Sequence, residues 1–159
     1  MRISSEERQA CRCAGTVAWD STQRALRWTW EPNVPSGYVV YLMVVDHEVK
    51  KAGKAENTSS STFKKRMQSE FSAARQVICG PLPGRPLPRW RLRPFDPFKK
   101  HAPPTLLAGR TVELWAKGLP TKQSMLDQED RLNEKYRGEW TKQGWTKDGR
   151  RRLAEGDAA

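Results

Sequence analysis

Eight of the chain's eleven prolines fall between residues 81 and 104. Proline has no amide hydrogen and a fixed φ, so neither a helix interior nor a central strand tolerates that density. The chain is thereby divided before any other argument is made. The run from Gly80 to Pro94 predicts an extended, polyproline-like ribbon. Residues 1–79 read as a small α+β body, 80–110 as a basic arm, 111–143 as a strand plus a docking helix, and 144–159 as a polar tail. The expected fold class is α+β, a small antiparallel β-sheet packed on an amphipathic helix, with a long Pro-rich basic arm and a C-terminal helix.

Within the body, Ser4 to Cys13 predicts a short helix and Thr16 to Trp19 a short strand. Leu26, Trp28 and Trp30 alternate with Arg27 and Thr29, the period of a half-buried strand. Two prolines and a glycine in residues 31–37 break it. Tyr38 to Val45 is apolar on both faces, which predicts a central strand paired with 25–30 in a hairpin. Residues 46–61 are polar and predict a flexible loop. Phe63, Met67, Phe71, Ala74 and Ile78 make one helical stripe over about 62–78, closed by Gly80 and Pro81. Thr111 to Ala116 predicts a strand, and Met125, Leu132, Tyr136 and Trp140 share one face of a helix over 124–142, with Asp127 and Arg131 as a supporting pair.

Charge is unevenly placed. The net charge is +11, and residues 61–110 hold eleven Lys and Arg against two acids, a net of +9. A focused basic segment points to a polyanion partner. In the arm, Arg85, Arg89, Arg91, Arg93, Lys99 and Lys100 alternate with Trp90, Phe95 and Phe98. Arginine binds phosphate bidentately and aromatic rings offer platforms for unpaired bases. Lys64, Lys65 and Arg66 open the neighbouring helix, where the dipole disfavours cations, so an anion is expected there. These ten residues, Lys64 to Arg66, Arg85, Arg89, Trp90, Arg91, Arg93, Lys99 and Lys100, are the expected RNA contacts. The chain has seven tryptophans, more than a small core needs. Tyr136, Trp140 and Trp145 are therefore expected at a protein interface.

Other chemistry is thin. Cys11, Cys13 and Cys79 are too few and too sparse for a disulfide framework. With His47 or His101 they could hold zinc, but Cys-x-Cys is a tight spacing, and ordinary thiols are the better reading. Neither histidine lies in a recognisable catalytic motif. The prolines of residues 80–84 remove the amides that a phosphate cradle needs. No membrane span is present, the longest apolar run being eight residues, and no secretory leader is expected.

Over residues 4–79 the order helix, three strands, helix is similar to a double-stranded-RNA-binding domain. Lys64, Lys65 and Arg66 fall where that family touches phosphates. In composition the chain resembles the lineage-specific subunits of mitochondrial ribosomes. The resulting expectation is a non-catalytic structural subunit of a mitochondrial ribosome, with rRNA and neighbouring proteins as partners and no cofactor. An accessory subunit of a respiratory or ATP-synthase complex is the alternative, and a small metal-dependent enzyme using the Cys/His set is the third reading.

Overall fold

The computed structural model describes residues 1–58, 60–80 and 97–141, the side chains of 57–61 excepted. The elements run α1 (Ser5–Ala10), β1 (Arg12–Asp20), β2 (Ala25–Trp30), β3 (Gly37–Val45), β4 (Glu48–Thr58), α2 (Ser60–Cys79), α3 (Pro97–Leu107), β5 (Val112–Leu119) and α4 (Lys122–Tyr136). The five strands form one antiparallel sheet in the order β2-β1-β5-β3-β4. The fold is α+β.

β3 is where the strong apolar pattern of 38–45 leads. Val39, Tyr41, Met43 and Val45 face one side, with Phe63, Met67, Phe71 and Ala74 of α2 and Phe98, Ala102 and Leu106 of α3. Val40, Leu42 and Val44 face the other, with Ile3, and with Met125, Leu132 and Tyr136 of α4. The strand's period of two sends successive side chains into opposite cores, so β3 is the shared wall of a three-layer molecule.

Four sequence expectations are corrected. Residues 48–58 are not a loop but the edge strand β4, paired with β3 from Gly37↔Thr58 to Val45↔Glu48. Lysines suit an edge strand, where they discourage pairing with another chain, and here they hid the strand's character. The 25–30 strand pairs with β1 rather than β3, and β3 pairs with β4 and β5. The order similar to a double-stranded-RNA-binding domain therefore does not hold, since β4 precedes α2 and β5, which follows it, enters the sheet between β1 and β3. Finally, 97–107 is helical despite Pro103 and Pro104. Pro97 occupies the first helical position, where no amide bond is lost. The Thr105 hydroxyl donates to the His101 carbonyl at 3.0 Å in the following turn. The prolines of 81–94 lie outside the described residues.

α2 ends as its sequence suggests. Gly80 takes φ +78° and its amide donates to the Gln76 carbonyl at 2.8 Å, a left-handed closure that glycine adopts without strain. α4 opens on a capping box between Thr121 and Ser124 and stops at Arg137, which sits in the left-handed region at φ 45°.

Candidate active site

α2 crosses the sheet on the face of Tyr41. Its buried stripe leaves one flank toward β3 and β4, and Arg66 and Glu70, one turn apart, lie on that flank. Tyr41 is 3% exposed and its hydroxyl donates to Glu70 Oε2 at 2.8 Å. Lys51 of β4 donates to Glu70 Oε1. The Lys51 and Glu70 side chains remain about one-fifth exposed, at 21% and 20%. The result is a buried hydroxyl, a carboxylate and an ammonium that open to solvent at the sheet edge, with a guanidinium on the same flank.

The chain makes room for this group at one position. Gly53 is paired with Tyr41 across the β3–β4 ladder. A Cβ at Gly53 would lie 2.5 Å from Tyr41 Cζ and Oη. Phe63 closes over Tyr41 edge-on, with ring centroids 6.3 Å apart. Burial drives the Tyr41 pKa well above the ordinary tyrosine value, and the charge and hydrogen bond of Glu70 push the same way. Arg66 acts against that rise. Tyr41 is thus held as a neutral hydroxyl that orients the Glu70 carboxylate. The Lys51 ammonium also lies 5.2 Å over the Phe98 ring, a cation–π contact.

Of the residues expected to bind RNA, Lys64, Lys65 and Arg66 lie on α2, with Lys65 and Arg66 exposed. Lys64 lies 5.8 Å over the Trp30 ring, which stacks on Trp28 at 5.2 Å. Lys99 and Lys100 lie in the first turn of α3. Arg85, Arg89, Trp90, Arg91, Arg93 and Trp145 fall outside the described residues. Tyr136 and Trp140, expected at a protein interface, are used inside the chain. The Tyr136 hydroxyl donates to Glu7 at 2.6 Å, and Trp140 is 1% exposed against Phe98. Both rings are enclosed because α4 and the turn after it fold back on the sheet.

The cysteines do not assemble. Among the described residues no three His, Cys, Asp or Glu side chains gather as metal ligands. Burial raises the Cys11 and Cys13 pKa values, with Glu7 and Glu113 adding to it, so both are held as thiols. Among the described residues no helix is long and apolar enough to cross a membrane.

Sequence reasoning missed Tyr41, Lys51 and Glu70. Tyr41 was absorbed in an apolar run and Lys51 in a polar stretch. Glu70 was one of only two acids in a segment of net +9, and that isolation was the available signal.

No protein-family model and no curated protein matches the chain. Similar solved structures include restriction endonuclease HPY188I in complex with product DNA, at 10% identity and a TM-score of 0.45, covering 86% of this chain and 82% of that one. A mutant of bacteriophage T4 EndoII is similar at 14% identity and a TM-score of 0.46, covering 79% and 87%. Both are endonucleases by name, and neither is a ribosomal or mitochondrial protein. Against the expectations of a non-catalytic mitochondrial ribosomal subunit, of rRNA and ribosomal partners, and of a chain without enzyme chemistry, the correction is that the solved structures found similar are endonucleases by name. At these scores the likeness carries nothing about the chemistry of this chain.

Proposed function

We propose that the chain is a nuclease that hydrolyses phosphodiester bonds of DNA at the cluster of Tyr41, Lys51, Arg66 and Glu70. The observation that carries this reading is the Glu70 carboxylate, oriented by a buried tyrosine and shared with a lysine at a solvent-facing edge. Phosphoryl transfer asks a protein mainly for positioning and for cations around the transferring phosphorus. Lys51 and Arg66 supply the cations. Exposed Lys65 and the remaining basic flank of α2 supply sequence-independent attraction for the backbone.

In the step itself, Glu70 accepts a proton from water as the water oxygen bonds to phosphorus. The bond from phosphorus to the leaving sugar oxygen breaks, and Lys51 donates a proton to that oxygen. In this step the Tyr41 hydroxyl, hydrogen-bonded to Glu70 Oε2, fixes the direction of the Glu70 lone pairs. A divalent cation would have Glu70 as its protein ligand and would supply stabilisation of the negative charge that develops on the phosphate.

The test is conversion of supercoiled plasmid to nicked and linear forms, with and without magnesium or manganese, beside a matched single-stranded RNA. Cleavage of DNA that is lost in Glu70→Gln supports the reading. Purified folded chain that leaves both substrates intact under every condition refutes it.

A further inference from the structure

The turn that follows α4 reaches back across the sheet edge to the strand that carries Lys51. The Trp140 amide donates to the Lys50 carbonyl at 2.9 Å, and the Thr141 amide closes the turn on the Gly138 carbonyl at 2.9 Å. Glu139 pairs with the Lys50 ammonium at 3.1 Å. Gly138 passes so close to β4 that an added Cβ would lie 2.3 Å from the Lys50 oxygen and 2.9 Å from the Lys51 nitrogen. The Trp140 indole then enters the core on the Tyr41 side.

There it meets the ring beneath Lys51. Trp140 and Phe98 pack edge to face at 5.8 Å and 77°, and Phe98 meets Phe71 edge to face at 5.1 Å and 89°. Phe98 is thus held from two sides while its own face carries the Lys51 ammonium. Among the described residues the buried Trp140 Nε1 has no hydrogen-bond partner.

We infer that Trp140 is a positioning residue for Lys51: it fixes the β4 backbone through its amide and the Phe98 ring through its indole, and so sets where the ammonium stands. As a role in catalysis this rests on the nuclease reading above; the coupling of Trp140 to Lys51 is open to measurement without it. Lys51 has a long flexible stem, and without a fixed ring below it the ammonium would sample several rotamers. A displacement of about 1 Å at a reacting group costs up to ~100-fold in rate.

The experiment compares the full chain with Trp140→Phe, which keeps an apolar ring in the core, and with Gly138→Ala, which presses on the same strand from the turn. Two readings are taken. The NMR shifts of the Lys51 ε-methylene protons report the ring current of Phe98. Steady-state cleavage separates kcat from KM. The expected result is displaced Lys51 resonances in both variants, with kcat lower by about 10- to 100-fold and KM within about twofold. Unmoved resonances overturn the inference, as do moved resonances with unchanged kcat in a chain that cleaves DNA. If the unsubstituted chain cleaves nothing while Trp140→Phe still moves the Lys51 resonances, the nuclease reading falls and the coupling stands.

Discussion

Two carboxylates, Glu7 and Glu70, sit on opposite faces of one sheet with the same kinds of neighbour. Glu7 receives the Tyr136 hydroxyl at 2.6 Å, the Lys135 ammonium at 2.8 Å, the Arg131 guanidinium at 2.9 Å and the Ser4 hydroxyl. Glu70 receives the Tyr41 hydroxyl and the Lys51 ammonium. The chemistry matches and the surroundings do not. Glu7 is 1% exposed and nearly every lone pair is answered. Burial alone would raise its pKa, yet Lys135, Ser4, Tyr136 and Arg131 outweigh that and bring it to about 2. Among the described residues Glu70 has fewer partners, and its side chain is 20% exposed. The first arrangement ties α1 to α4. The second leaves a carboxylate with capacity to spare, which is what the proposed role of Glu70 as proton acceptor would need. Residue type does not separate structure from chemistry here, but saturation does.

Substitutions at matched positions test that distinction. Glu70→Gln has the largest expected effect, a fall in cleavage of about 100- to 10,000-fold with stability changed by less than ~1 kcal/mol, read by plasmid turnover and urea midpoint. Equal loss of stability at both glutamates would remove the contrast. Glu7→Gln comes next. It strands Lys135 and Arg131 around a neutral amide and is expected to lower stability by about 3 kcal/mol, with the cleavage rate of the folded fraction unchanged.

Acid sharpens the same comparison. The folded pKa of Glu7 is about 2, below the ordinary 4.5. Its contribution is therefore complete above the ordinary value and is lost as pH falls from there toward 2. Urea midpoints across that window should drop steeply in the unsubstituted chain and less steeply in Glu7→Gln. Parallel curves would mean that the network does not govern acid stability. Gly53→Ala follows, with an expected cost of about 1–3 kcal/mol from overpacking against the Tyr41 ring. Because the displaced ring carries the hydroxyl that bonds Glu70, cleavage should fall further than the melting temperature suggests. The smallest effect is Tyr41→Phe, which keeps the ring and removes the hydroxyl. Stability should change by about 1 kcal/mol, and turnover should slow by about tenfold if orientation of Glu70 is all that the hydroxyl supplies.

The sequence was most legible where one physical signal acted alone. The Phe63 to Ile78 stripe marked α2 to within two residues at its start and one at its end, and the doubly apolar run marked β3 as central. β4 was hidden because an edge strand carries lysines, and because the register shift between Met43 and Val44 interrupts the alternation opposite Lys50. α3 was hidden by Pro103 and Pro104, which read as a stop although β1 and α2 pack around that helix. Asp127 and Arg131 do not pair as their spacing suggests. Gln123 takes Asp127, and Arg131 reaches 124 residues back to Glu7. The site shared this fate. Tyr41, Lys51 and Glu70 come from three elements, and only strand register and helix crossing bring them together. No local pattern encodes that meeting.

Tyr41 and Leu42 are consecutive residues with opposite outlooks, one toward Glu70 and the other toward α4. Repacking beneath α4 therefore reaches the hydroxyl through a single peptide unit, without crossing any interior. Selection on the two halves of this molecule cannot proceed separately, and an engineer who enlarges Leu42 to firm up one layer will retune the other.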